Sequence, residues 1–427
     1  MIVKRERPAK ELYPFQNQAV RALLGGKHLL VSGMGSGKSS ISVVWSYFVC
    51  KHTGKHKVLV ITTSSKSKTK DEFKRNDFEA EMDNFCPPHF RDSITLEVVS
   101  WDLLYKWVRA HVKELSEWVV VADEVAKIKG FTSRRAKAFL ALVERNPDWA
   151  GFTGTPGDTW ESFGAYFKAC GLVRHKTEFV RRFCIVQTFK GFPEIVDYRD
   201  EELLKRWWAE ISYAPDTSQM TRELPAETHK TIQFKSPSLY KQVLKTREID
   251  GEFIDNPSKL ASVLRQLCFT KEKQQWVADF LEGLGEPAIL FYNFIVTGDE
   301  LEKIAKKALP KDARVWRIDG RHHEIPTEKT LGPRDIVLAQ WQSGSEALNF
   351  QMMRTWVAVE PTYAYSTWAQ AEGRIRRIGQ KRNMFYFSLL CEKTIDADVY
   401  KCLQEKREFS EEIWLAKYVN IERKGVQ

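Results

Sequence analysis

Short apolar runs recur along the chain, most of them closed by small or polar residues and followed by segments with apolar positions at helical spacing. In the first half these runs are His28-Leu-Leu-Val31, Val58-Leu-Val-Ile61, the alternating Ile94-Thr-Leu-Glu-Val-Val-Ser100, and Trp118-Val-Val-Val-Ala-Asp123. Gly151-Phe-Thr-Gly-Thr-Pro156 closes another. After the first run, Ile41, Val44, Trp45 and Phe48 fall at i, i+3, i+4 and i+7, which predicts a helix with one buried face. The second half repeats the theme. Ala288-Ile-Leu-Phe291 precedes a helical pattern (Leu301, Ile304, Ala305, Ala308), and Val315–Gly320, Asp335–Leu338, Thr355–Val359 and Met384–Leu390 read as further strands. Strands alternating with helices predict an α/β fold with two parallel sheets covered by helices, one in each half. The polar stretch 221–230, broken by Pro225, is the expected junction, giving domains 1–225 and 226–427. Residues from about 157 to 220 read as a basic, helical extension of the first domain. Its aromatics (Phe163, Tyr166, Phe167, Phe179, Phe183, Trp207, Trp208) could stack on bases or fill a core, and their pattern does not decide between the two.

Composition narrows the class. With 43% hydrophobic and 29% charged residues over 427 positions, the chain is that of an ordinary globular protein of two or three domains. Its 66 basic against 56 acidic residues leave a net charge of +10, which favours a polyanionic partner. The seven cysteines are scattered, with no paired spacing, so reduced thiols are expected and neither a disulfide frame nor a zinc site. No apolar run approaches the ~18 residues of a membrane span. The first residues carry no apolar signal core, so a cytoplasmic protein is expected.

The chemistry concentrates where strands end. Ser32-Gly-Met-Gly-Ser-Gly-Lys-Ser-Ser40 lies between a strand and a helix. Gly33, Gly35 and Gly37 allow a tight turn with inward N–H groups, and an anion there would meet a helix N-terminus. Ser36, Gly37, Ser39 and Ser40 complete the cradle, with Lys38 reaching the terminal phosphates and the Ser39 hydroxyl ligating Mg²⁺. A strict phosphate-loop pattern has glycine where this chain has Ser32. Gln16, upstream, could offer its amide to an adenine edge. The adjacent carboxylates closing the Trp118 run suit Asp123 to hold Mg²⁺ and Glu124 to orient an attacking water. Thr62, Thr63 and Ser64, followed by Lys66, Lys68, Lys70, Lys74 and Arg75, form either a solvated face or a grip on backbone phosphates. Far downstream, Arg374 and Arg377 stand one turn apart on an expected helix, either a basic face held in ion pairs or a pair able to stabilise charge on transferring phosphoryl oxygens.

Leu12-Tyr-Pro-Phe-Gln16, the glycine-rich loop, Asp123-Glu-Val-Ala-Lys-Ile-Lys-Gly130, Phe152-Thr-Gly-Thr-Pro156, Ser343-Gly-Ser-Glu-Ala-Leu-Asn349 and Gln370-Ala-Glu-Gly-Arg-Ile-Arg-Arg-Ile-Gly-Gln380 stand in a familiar order. The chain resembles the Swi/Snf-type branch of superfamily 2 helicases and translocases from about residue 10 to 405. The resemblance implies two RecA-like lobes in tandem, ATP and Mg²⁺ as cofactors, and DNA as partner. It also implies that Gln370 belongs to the nucleotide site, and that Ser100, Lys129, Thr155, Ser343 and Gly344 join Thr62, Thr63, Ser64 and Lys66 as DNA contacts. Val125 and Ala126 depart from the family, which often has Ala-His there. The compact chain looks more like a phage or bacterial recombination and repair helicase than a chromatin remodeller. A monomer acting on forks or Holliday junctions is then expected, with branch migration or unwinding as output. A duplex translocase without strand separation, an RNA helicase and a DNA-binding module with a decayed ATP site are the alternatives.

Overall fold

In a computed structural model, described for residues 10–33, 35–68, 76–157, 159–189, 192–217, 224–322, 324–344, 350–377, 380–407, 409–411 and 414, the chain divides into two compact units. They comprise Met1–Thr221 and Arg222–Gln427.

The first unit is built on β1 (Leu29–Val31), β2 (Lys57–Thr62), β3 (Thr95–Ser100), β4 (Trp118–Asp123), β5 (Trp149–Thr153) and, later in the chain, β8 (Ser212–Tyr213). They form one sheet in the order β3-β2-β4-β5-β1-β8, every neighbouring pair parallel. The valine-rich runs suit strands covered on both faces. Along β2 and β4, Leu59, Ile61, Val120 and Ala122 join one core, whereas Val58, Val60, Val119 and Val121 join the core on the opposite face. The helix after β1, Lys38–Thr53, is packed almost all round: Ile41, Val43, Val44, Trp45 and Val49 are buried. Phe48, expected on its inner face, is instead 42% exposed.

The extension proves to be mixed rather than helical. Helices Trp160–Ala169 and Lys176–Phe183 precede, and Glu201–Ile211 follows, an antiparallel hairpin of β6 (Cys184–Phe189) and β7 (Phe192–Tyr198). Its aromatics make a core: Tyr166, Phe167, Phe179 and Phe183 are buried, and Phe163 meets Trp208 edge-on with ring centroids 4.4 Å apart. The segment then returns to the main sheet as β8.

The second unit contains β9 (Glu227–Phe234), β10 (Glu248–Ile249), β11 (Glu252–Phe253), β12 (Ala288–Tyr292), β13 (Val315–Ile318), β14 (Ile336–Gln340), β15 (Thr355–Ala358) and β16 (Met384–Cys391). Apart from the small antiparallel pair β10-β11, they form a second parallel sheet in the order β13-β14-β12-β15-β16-β9. β9 begins inside the polar stretch expected to be junction. It lies at the sheet edge along β16, where one apolar face suffices. Each unit is therefore a six-stranded parallel sheet with flanking helices, and the fold is a pair of RecA-like units. All seven cysteines are free thiols, and among the described residues no helix is long and apolar enough to cross a membrane.

Candidate functional site

Because β1 to β5 run parallel, their carboxyl ends open on one edge of the sheet, where open α/β sheets bind ligands. That edge carries the glycine-rich loop after β1, Thr62 and Thr63 at β2, Ser100 at β3, Asp123 and Glu124 at β4, and Thr153 to Thr155 at β5.

The loop is braced from within the unit; its Met34 lies outside the described residues. Gly37 has a φ of +77° and caps the helix Lys38–Thr53. A Cβ on it would fall 2.2 Å from Gln16 Nε2. Gln16 is buried in the first turn of the helix Pro14–Leu24. Its Oε1 accepts from Tyr13 N at 2.9 Å and its Nε2 donates to the Ser36 carbonyl at 2.9 Å. One amide hydrogen and one lone pair are left over for a base edge. Ser36 Oγ donates to the Gly33 carbonyl at 2.8 Å, and Lys38 Nζ donates to the Ser32 and Gly33 carbonyls at 3.0 and 3.1 Å. Lys38 thus crosses the mouth of the loop at a helix N-terminus, a place suited to phosphate oxygens. Ser39 is half-buried in the first helical turn. Ser40, expected near nucleotide, donates instead to Glu81 Oε2 at 2.6 Å and braces the helix against its neighbour Asp77–Phe85. Burial pushes the Glu81 carboxyl up, with the Ser40 hydroxyl opposing.

Asp123 is buried at the end of β4. Its Oδ2 receives Thr62 Oγ1 at 2.7 Å and Lys66 Nζ at 2.9 Å, and its carbonyl accepts from Trp101 Nε1 at 2.8 Å. Burial alone would raise its carboxyl, but the Lys66 ammonium and the Thr62 hydroxyl outweigh that and hold it below its usual value. For Lys66, burial opposes the charge, yet the Asp123 and Glu124 carboxylates keep its pKa raised. Glu124 has a φ of +52° and opens the short turn Val125–Ile128. A left-handed non-glycine residue at a strand end is strain of the kind that active sites retain. The donor chemistry fits Mg²⁺. A lone carboxylate and a serine hydroxyl are hard oxygen ligands, and this ion keeps most of its shell for water and phosphate. Among the described residues, no group of three or more His, Cys, Asp or Glu forms a dedicated metal cage.

The expected DNA contacts divide. Ser64 and Lys129 are exposed and Thr155 is half-buried. Thr62, Thr63 and Ser100 are buried, and Thr62 and Lys66 point at Asp123. Lys70, Lys74 and Arg75 lie outside the described residues, as does the Lys68 side chain.

In the second unit, Gln370 lies half-buried on the helix Tyr365–Glu372. That helix ends before the arginines expected to ride on it. Gly373 caps it, and Arg374 to Arg377 follow in turns. The helix stops because the next stretch is tied into a knot around buried Gln380. Its Nε2 donates to the carbonyls of Gln351, Met353 and Ile375 at 3.0, 2.9 and 3.3 Å, and its Oε1 accepts from Lys381 N and Arg382 N. Arg374 is buried, Arg377 Nε donates to the Gly373 carbonyl at 3.2 Å, and Arg376 pairs with Glu227 of β9. Ser343 and Gly344 end the short helix Trp341–Gly344, and residues 345–349 of that motif lie outside the described residues. Sequence reasoning missed Lys66 as the partner of Asp123, Trp101 as its brace, and Gln380 as the knot. For Lys66 no sequence signal existed, whereas the trailing Ile-Gly-Gln of the arginine motif does mark Gln380.

No protein-family model matches the chain. It is similar to an uncharacterised ATP-dependent helicase of Mycoplasma pneumoniae, 23% identical over 345 residues, which cover 73% of this chain and 32% of that protein. The chain therefore spans about a third of that relative's length. Among solved structures it is similar to the Sulfolobus solfataricus SWI2/SNF2 ATPase core in complex with dsDNA, at 17% identity and a TM-score of 0.42, over 95% of this chain and 93% of that one. The motifs by which the chain resembles the Swi/Snf-type branch of superfamily 2 are carried on two parallel sheets, and the relative it is similar to is an ATP-dependent helicase.

Proposed function

We propose that the chain is a DNA-dependent ATPase that converts ATP hydrolysis into movement on DNA. The observation that carries this is the single sheet edge on which a lysine-bearing loop at a helix N-terminus and a buried, charged Asp123 both open. In this reading Lys38 and the loop amides bind the phosphates, and Gln16 holds the loop and offers its spare amide positions to the base. Ser39 and Asp123 hold Mg²⁺, which when bound would neutralise phosphate charge. Glu124, released from the strand by its left-handed backbone, orients water. Arg374 and Arg377 stabilise charge on the transferring phosphoryl oxygens. Ser64, Lys129 and Thr155, with the net charge of +10, support a grip on the DNA backbone. The preferred substrate is forked or four-way DNA, processed by a monomer during recombination, repair or replication in a bacterial or phage-infected cytoplasm.

The test is ATP turnover and strand displacement over single-strand, duplex, forked and four-way DNA. DNA raises turnover several-fold, and Lys38→Ala removes turnover while DNA binding persists. Unchanged turnover in Arg377→Ala refutes the role of the second unit's arginines. Equal activity on plain duplex and on branched DNA refutes the substrate assignment.

A further inference from the structure

Lys66 points back toward the sheet edge. Its Nζ stands 2.9 Å from Asp123 Oδ2, the same oxygen that receives the Thr62 hydroxyl. The lysine side chain is only 17% exposed and the carboxylate 3%, so the pair is withdrawn from water. A lysine gives up hydration and rotamer freedom to sit there. In exchange it neutralises a buried carboxylate that would be costly to leave unpaired. The pairing conflicts with the metal assignment. A divalent cation at Asp123, direct or through water, and an ammonium on the same carboxylate repel one another strongly where water is scarce. The other lysine of the site, Lys38, is turned to the loop carbonyls of Ser32 and Gly33, on the phosphate side.

Resting on the ATPase reading of Asp123, we propose that Lys66 is a placeholder cation, neutralising Asp123 until Mg²⁺ arrives with nucleotide and then being displaced. Lys66 is thus a positioning residue. Its displacement has a consequence for the chain, because it belongs to the short helix Ser64–Lys68, whose Ser67 N–H bonds the Thr63 carbonyl at 3.0 Å. Metal loading therefore pulls on the turn just past β2, where Ser64 stands among the proposed DNA contacts. Nucleotide state reaches that segment within one unit, through a single side chain.

The experiment compares wild type, Lys66→Met and Lys66→Arg by titrating a fluorescent ADP analogue over a range of Mg²⁺ concentrations, and by melting each protein in chelator and in saturating Mg²⁺–ADP. Removing the competing charge tightens Mg²⁺–ADP binding by Lys66→Met about fivefold or more. Lys66→Arg keeps the charge and pairs more firmly through its planar fork, so it needs more Mg²⁺ for half-saturation. Lys66→Met melts below wild type in chelator and level with it in Mg²⁺–ADP, because the metal replaces the missing charge. A purely structural ion pair would show the same deficit in both conditions. Unchanged or weaker Mg²⁺–ADP binding by Lys66→Met, with binding by wild type that Lys38→Ala abolishes, overturns the placeholder and leaves the ATPase reading standing. Absence of Mg²⁺-dependent binding by wild type overturns both.

Discussion

Gly37→Ala examines whether the phosphate loop is held in shape by its neighbours, and the structure gives the size of the effect. At a φ of +77° an alanine is in the left-handed region, which costs about 1 kcal/mol. Its Cβ would lie 2.2 Å from Gln16 Nε2, the end of a side chain that can move aside. Moving it breaks the bond to the Ser36 carbonyl, a further ~1 kcal/mol, for a total of ~2 kcal/mol. Gln16→Ala loses that bond and the one from Tyr13 N, also ~2 kcal/mol. The double variant retains the backbone strain and loses both bonds, ~3 kcal/mol, because no amide remains to be displaced. The cycle therefore falls short of additivity by ~1 kcal/mol. If the loop keeps its conformation, the cost appears in folding. If it relaxes, the cost appears in nucleotide affinity, at about tenfold per 1.4 kcal/mol. Urea unfolding and a fluorescent-ADP titration on all four proteins capture both contributions. Strict additivity, or a Gly37→Ala protein equal to wild type in both assays, refutes the bracing of the loop by Gln16.

Gly298→Ala tests packing in the second unit. The added Cβ would sit 2.6 Å from the ring of Tyr292, which is buried and tied by its hydroxyl to Asp319 Oδ2 at 3.0 Å. Overpacking of about 1–3 kcal/mol should outweigh the ~1 kcal/mol gain in helix propensity, so the melting midpoint falls; a rise would contradict the contact. His229 carries a pH signature. It bonds Glu227, lies 4.0 Å from Glu372, stacks on Tyr386 at 4.5 Å, and shares Glu227 with Arg376. The Glu227 bond, against burial and with help from Glu372, raises its pKa above the ordinary 6.5. Its contribution is then fully present below that value and lost as pH rises through the folded-state pKa. The melting difference between wild type and His229→Gln is expected to be larger near about pH 6 than near about pH 9, and a flat or inverted difference removes His229 from the stability of the arginine segment.

Much of the fold could be read from the sequence because strands buried on both faces announce themselves as unbroken apolar runs, and the motif residues come directly after them. What escaped is what depends on exposure or distance. β9 has polar residues on its solvent side and so resembles a linker until β16 pairs with it. The hairpin β6-β7 is largely exposed and sits among aromatics that pack elsewhere in the extension, so neither period stands out. The end of the helix at Glu372 is set by the long-range knot around Gln380, not by any local stop signal other than Gly373. The pair Lys66–Asp123 joins residues on different strand ends, and one sequence shows only a basic run and an acidic pair.

The two sheets each present a buried carboxylate at a carboxyl edge, and the two are held by partners of different kinds. Asp123 is held by a hydroxyl and by the tip of a flexible lysine, groups that can let go without unfolding anything. Glu360, just beyond β15, is held by fixed groups. Its Oε2 accepts from Asn293 N at 2.7 Å and Phe294 N at 3.4 Å, and its Oε1 from Thr297 Oγ1 at 2.7 Å. Those donors line the start of the helix Ile295–Ala308, which follows β12 as Lys38–Thr53 follows β1. A helix N-terminus attracts an anion in both units. In the first, the proposed reading gives that place to a phosphate. In the second, the protein's own Glu360 carboxyl takes that place through Asn293 N, Phe294 N and the Thr297 hydroxyl.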